Sequence, residues 1–286
     1  MRHNLPMNIT ISGASGFIGG QLLNSLGQAG HAVRALSHHA PPVESLREAD
    51  VIIHLAGEPL AQRWTAAAKQ RIRDSRVMGT RNLVEALAAL PRRPEALICA
   101  SAIGYYGSRG DEILTESSAP GSGFLPELCV AWEREAQAAE ALGMRVVRVR
   151  TGLVLDARGG ALPRMLPPFR MGVGGRLGSG RQWMSWIHLE DLAALFHLAV
   201  ESHVQGPLNG VAPHAVTNSD FTRELARVLR RPAVFPIPGF ALRLLLGEMA
   251  DVLLASQRVA PGAAEAAGFR FRFPQLAPAL AALLRR

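Results

Sequence analysis

Gly13, Gly16 and Gly19, in the run Gly13-Ala-Ser15-Gly16-Phe17-Ile18-Gly19, are the first residues whose types and spacing point to chemistry. They follow a short β-branched segment and precede a stretch with apolar residues at helical spacing. Glycine there permits a tight turn and lets backbone N–H groups approach a pyrophosphate, while the following helix turns its positive dipole end to the same anion. Glycine triplets also make ordinary tight turns; the place of this one between a strand and a helix favours a dinucleotide site. The end of the second strand bears on which dinucleotide. An acidic residue ~20 positions beyond the glycines would accept the ribose 2′-hydroxyl of NAD. No Asp or Glu occurs between Gly13 and Glu44. The chain reads Leu36-Ser37-His38-His39 with Arg34 nearby, so a 2′-phosphate would meet a hydroxyl and imidazoles and no carboxylate. NADP is therefore expected over NAD, the alternative being that Ser37 and the histidines form a solvated loop. The next apolar run ends His54-Leu55-Ala56-Gly57. Small residues at 56 and 57 would leave room for the adenosine ribose and pyrophosphate, or serve close backbone packing.

These residues need elements to hold them. Asn8–Ser12, His31–Ser37, Asp50–Ala56, Ala96–Ser101 and Arg145–Leu155 read as strands. Helices are expected over Phe17–Ala29, over Ala66–Leu90 with a kink or break near Gly79, over Leu125–Leu142 and over His188–Glu201. Strands separated by helices imply an α/β fold, a Rossmann-type doubly wound parallel sheet. After Leu155 the chain becomes rich in Gly and Pro. The expected organisation is a dinucleotide-binding domain over 7–155, to which 187–212 returns, and a smaller, mostly helical C-terminal substrate lobe from 156–186 and 213–286.

Composition narrows the classes. The chain has 286 residues, 48% hydrophobic and 19% charged, which fits a folded core and excludes wholesale disorder. Two cysteines, Cys99 and Cys129, give neither a disulfide framework nor metal-ligand spacing. The most apolar stretch, Phe240–Ala255, is interrupted by Arg243, Glu248 and Asp251, so no membrane span is expected. With no apolar signal core before Asn8, a cytoplasmic protein is expected. The net charge of +8 is carried by scattered arginines, Lys69 being the single lysine, and no basic stripe interleaved with aromatics suggests nucleic acid.

The glycine run and His54-Leu-Ala-Gly57 resemble the extended short-chain dehydrogenases, the nucleotide-sugar epimerase and dehydratase group. Further marks resemble one atypical branch, the epimerase-family proteins. They are Arg63-Trp-Thr65, Ser75-Arg76 with Thr80, Ser101-Ala-Ile-Gly-Tyr-Tyr-Gly107, Trp132-Glu133, Arg150-Thr-Gly152 and Trp186-Ile-His-Leu-Glu-Asp191. Asn209-Gly-Val-Ala-Pro213, Gly247-Glu-Met249 and Gly268-Phe269 carry the resemblance through the C-terminal third. It implies NADP contacts at Ser37 and His38, Leu55 and Ala56, Arg76 and Val154. It also implies a small-molecule substrate, a sugar nucleotide or carbonyl compound, and makes a homodimer a candidate assembly. His38 departs from the arginine that such relatives usually carry there.

Short-chain dehydrogenases normally use a Tyr-x-x-x-Lys pair, in which the lysine lowers the tyrosine pKa so that it can shuttle a proton. This chain has 1 lysine, upstream of both of its 2 tyrosines, so the dyad cannot exist. Cys129 and Glu133 hold the corresponding helix positions, where a carboxylate would discourage thiol ionisation. The candidates that remain are Ser101, in the place of the family's catalytic Ser/Thr, a phenol from Tyr105 or Tyr106, and Glu133 as a general acid or base. Each also has a plain role in loop packing or helix anchoring. Arg176, Arg181 or His188 could meet an anionic substrate group. Two functions remain open: an NADP-dependent oxidoreductase or epimerase acting on a carbinol, and a non-catalytic NADP-binding sensor or interaction protein.

Overall fold

The computed structural model describes residues 5–36 and 46–284. The main strands are β1 (Asn8–Ser12), β2 (Ala32–Leu36), β3 (Val51–His54), β4 (Ala96–Ala102), β5 (Arg145–Thr151) and β6 (Gly206–Gly210). They pair in parallel, in the order β6-β5-β4-β3-β1-β2. The longer helices are α1 (Phe17–Gln28), α2 (Ala66–Ala88), α3 (Phe124–Gln137), α4 (Leu162–Arg170), α5 (Leu189–Glu201), α6 (Asn218–Leu229), α7 (Gly239–Leu246) and α8 (Leu276–Leu284). The fold is a Rossmann-like α/β sheet with helices on both faces.

Strand period decides which helices each face receives. Ile9, Ile11 and Ile53 point to one side and pack with Leu22 of α1 and Phe196 of α5. Ile52 and Leu97 point to the other and pack with Leu87 of α2 and Trp132 of α3. A third cluster joins α4, α6 and α8 through Phe169, Phe221 and Leu280, with Trp186 at its base. Because β1 lies between β2 and β3, the strand order reverses beside it, and the carboxyl ends of β1 and β3 open a crevice there.

Several elements depart from the expected boundaries. α2 runs unbroken through Gly79, where an added Cβ would meet nothing closer than 3.9 Å. Packing of the helix on the sheet outweighs the small glycine penalty. The expected strand over 145–155 is split at Gly152, whose position leaves no room for a Cβ 2.5 Å from the Ser185 carbonyl. Leu153–Leu155 turns away from the sheet to pair with Trp186–His188. α3 ends at Gln137 and tightens into a 3-10 turn over Ala138–Leu142, closed by Gly143 at φ +80. Within the Gly/Pro-rich stretch α4 forms despite Pro167 and Pro168, because Leu162, Leu166 and Phe169 are buried in the third cluster.

Candidate functional site

The glycine turn sits at the strand-order reversal. The Gly16 amide donates to the Gly13 carbonyl at 3.0 Å, and Gly13 is held at φ +75. A Cβ on Gly13 would lie 2.8 Å from the Ala56 nitrogen, and one on Gly19 would lie 2.2 Å from the Gly13 carbonyl oxygen. The turn, the start of α1 and the end of β3 are therefore packed backbone to backbone. Gly16 caps α1 without a side-chain hydrogen bond, and the first turn carries no acid. The orphan N–H groups at the start of α1, around Phe17 and Ile18, thus lack an internal acceptor. Ser15 and Gly16 are exposed above them, and Leu55 and Ala56 are half-buried beside them. The Phe17 ring lies against Gly159 and Gly160, so the chain just after the half-buried Val154 folds over this end of the crevice. Ser37 and His38 lie outside the described residues.

Arg76 projects from α2 to the rim of the same crevice. Its guanidinium lies 3.1 Å from where a Gly57 Cβ would be and 5.2 Å from the Trp132 ring centre. It donates to the carbonyls of Glu58 at 2.9 Å and Ile72 at 3.3 Å. Burial lowers its pKa. Among the described residues no carboxylate lies within ion-pair distance of it. A buried cation without a carboxylate is costly unless an anion joins it.

Beneath the crevice lies a chain of hydrogen bonds that the sequence did not single out. The Ser12 hydroxyl meets His54 Nδ1 at 2.5 Å, His54 Nε2 meets the Thr80 hydroxyl at 3.1 Å, and Trp132 Nε1 donates to Thr80 at 3.0 Å. Burial pulls the His54 pKa down to about 4, so the imidazole is neutral at ordinary pH. The chain fixes the ends of β1 and β3 against α2 and α3. His54, Thr80 and Trp132 each stand among the residues that carry the family resemblance, but nothing local in the sequence joins them.

The second group of candidates gathers at the ends of β4 and β5. The Ser101 hydroxyl donates to Glu133 Oε1 at 2.7 Å. Arg150 donates through Nε and Nη2 to the two Glu133 oxygens, each at 2.8 Å. Its Nη1 donates to the Tyr106 hydroxyl at 3.0 Å, and that hydroxyl donates to Asn209 Oδ1 at 2.7 Å. Burial opposes the charge on Arg150, but Glu133 more than offsets it and raises the pKa above the ordinary arginine value. Ser101, Glu133, Tyr106, Arg150 and Asn209 are all buried. Burial also raises the Tyr106 phenol. Cys129, on the same helix as Glu133, is pushed up to about 12 by burial and by Glu133. Tyr105 differs: it is half-buried, its ring covers the Arg150 guanidinium at 3.5 Å, and its hydroxyl has no protein hydrogen-bond partner among the described residues. Sequence reasoning named Ser101, Tyr106 and Glu133 separately; the structure joins them through Arg150 and Asn209, which it had not assigned to the site.

The chain is similar to known proteins over nearly all of its length. The family model for the NAD dependent epimerase/dehydratase family matches residues 9–212, and a domain of unknown function, DUF1731, matches 237–283. The chain is 41% identical to the epimerase family protein Mb2239 of Mycobacterium bovis, over 95% of this chain and 96% of that one. The crystal structure of human epimerase family protein SDR39U1 with NADPH superposes with a TM-score of 0.90 at 33% identity, covering 98% of this chain and all of that one. MoeE5 in complex with UDP-glucuronic acid and NAD shares the fold, with a TM-score of 0.81 at 22% identity, over 97% of each chain.

Proposed function

The chain belongs to the NAD-dependent epimerase/dehydratase family, and within it we propose an NADP-dependent oxidoreductase or epimerase that works without a Tyr-x-x-x-Lys dyad. The observation that carries the cofactor reading is the uncapped start of α1 over the Gly13–Gly19 cradle, with Arg76 buried at its rim and free of a carboxylate. The N–H groups of α1 would take the pyrophosphate, and Arg76 would take a further anionic or carbonyl oxygen. Leu55, Ala56 and Val154 would line the faces of the adenosine and nicotinamide ends, and Ser37 and His38 would meet the 2′-phosphate. When bound, the cofactor supplies hydride exchange at its nicotinamide ring.

The chain's own residues would hold the substrate. Ser101 commits its proton to Glu133, so its oxygen is left to accept a hydrogen bond from a substrate hydroxyl. Such a site favours a carbinol, as in a sugar nucleotide or a reduced carbonyl compound. Tyr105, with its unengaged hydroxyl, would relay the proton of that group towards solvent. Glu133 and Tyr106, locked in the Arg150 network, would act by positioning Ser101 and Tyr105. The stretches 156–186 and 213–286 would supply the substrate lobe.

Fluorescence titration with NADPH and NADH tests the first part. NADPH is expected to bind more tightly, Arg76→Met to weaken it, and His38→Asp to reverse the preference by placing a carboxylate beside the 2′-phosphate. No response to either nucleotide would overturn the reading. Absorbance of the reduced nicotinamide, followed over a panel of sugar nucleotides and carbonyl compounds, tests the second. Ser101→Ala should abolish any turnover found; tight NADPH binding with no turnover on any class would instead indicate a sensor.

A further inference from the structure

Among the described residues, several of the exposed large apolar side chains fall in the C-terminal third. Phe235 is 58% exposed, Phe240 74%, Leu244 81% and Leu245 73%. Phe240 and Leu244 are four residues apart on α7 and share a face. Exposed Met171 and Val173 belong to the neighbouring segment, which the Ile237 amide joins through the Arg176 carbonyl at 2.8 Å. Exposed apolar side chains gathered in neighbouring segments are what an interaction site presents.

Beside it lies an open groove of about 630 Å³ lined by Arg176, Arg223, Arg227, Arg230 and Arg231, with Val234 at its edge. Arg223 pairs with Asp220, and Arg227 with Glu224. Arg176 meets only the Ser179 carbonyl, and Arg230 and Arg231 have no carboxylate partner among the described residues. No acid occurs between Asp156 and Glu190 or between Glu224 and Glu248, while those two stretches hold nine arginines.

We infer that this face docks on an anionic phospholipid bilayer, with Phe240 and Leu244 entering the headgroup–acyl boundary and the arginine groove taking headgroup phosphates. Leucine and phenylalanine flanked by arginine is the composition of segments that lie in the membrane interface. No described helix is long and apolar enough to cross a membrane, so the contact is peripheral. Charge decides against a second copy of the chain, because a two-fold contact would set the arginine face against itself. Shape decides against an acidic protein. The apolar side chains project into solvent, and the concavity beside them is cationic, so a partner's apolar anchor finds no pocket.

Co-sedimentation of the full chain with vesicles tests this. Vesicles of phosphatidylcholine with one-third phosphatidylglycerol should pull it down; pure phosphatidylcholine should not, and added salt should release it. Arg230→Gln with Arg231→Gln should lower partitioning by about twenty-fivefold, on the order of fivefold per charge. Phe240→Glu with Leu244→Glu should lower it by tenfold or more while the melting temperature holds; Phe240→Ser with Leu244→Ser replaces that pair should it misfold. Absence of binding to anionic vesicles, or binding indifferent to both pairs of substitutions, overturns the inference. So does a concentration-dependent dimer that Phe240→Glu with Leu244→Glu dissolves, or binding to an acidic polypeptide without binding to vesicles.

Discussion

Replacing Glu133 by Gln should be among the most destabilising conservative changes in this protein. The carboxylate is 5% exposed and the Arg150 guanidinium 3%, joined by two 2.8 Å hydrogen bonds. Glutamine keeps the volume but offers one oxygen and one NH2 where Arg150 presents two donors. It also removes the one carboxylate, among the described residues, within ion-pair distance of Arg148, whose Nη1 lies 3.9 Å from Glu133 and whose buried Nε already lacks a partner. The buried Arg150 and the half-buried Arg148 are then left without a carboxylate among the described residues. Breaking a buried pair from one side costs about 3–5 kcal/mol, which in a chain of this size lowers the melting temperature by about 10 °C. Arg150→Met should cost less, because Arg148 stands ready to neutralise Glu133. The double variant Glu133→Gln/Arg150→Met should lose clearly less than the sum of the two single losses, since it removes both charges together. Urea denaturation of the four proteins gives the cycle. If Glu133→Gln stays within about 1 kcal/mol of the parent, or if the single losses simply add, the network does not hold Ser101 in place as argued.

Three further outcomes follow from the geometry. Gly19→Ala must displace the Gly13 carbonyl, 2.2 Å from the new Cβ, so it should abolish NADPH binding and cost roughly 1–3 kcal/mol in urea denaturation. His54 has a pKa of about 4 in the folded chain against an ordinary histidine value of 6.5, so protons favour the unfolded state. Its contribution to stability is fully present above about pH 6.5 and is lost as pH drops towards about 4, the loss amounting to about 2 kcal/mol at about pH 5. His54→Gln should remove that part of the slope, and an unchanged slope would contradict the assignment. Cys99 and Cys129 are buried and pushed up to about 12, so a thiol reagent should label neither in the native protein and both after urea unfolding.

The sheet could be read from the chain because its signals are local. The β-branched run Asn8–Ser12, the glycines after it and the apolar face of Phe17–Gln28 all fall within one continuous stretch. Parallel pairing then followed from alternation with helices. What stayed hidden was long-range. Tyr106 meets Asn209 across 103 residues, and Trp132 meets Thr80 across 52. No periodicity predicts which polar groups will share a buried network. α4 was hidden for a related reason: its prolines argue against a helix locally, and only the tertiary cluster around Phe169 and Trp186 makes it stable.

The missing lysine gains a physical meaning once Arg150 is in view. In the usual dyad a cation on a helix lies near the reactive phenol. Here the equivalent helix position holds an anion, Glu133, and the cation has moved to β5, where it neutralises that anion and touches both phenols. Tyr106 cannot easily profit from it, because its hydroxyl is buried and already shared between Arg150 and Asn209. The Tyr105 ring lies over the same guanidinium, and among the described residues its hydroxyl has no hydrogen-bond partner. A short-chain dehydrogenase site can therefore lose its lysine and keep a charge-balanced pocket, at the expense of a strong proton shuttle. That trade makes the integrity of the Glu133–Arg150 pair the condition for the position of the Ser101 hydroxyl, which donates to Glu133.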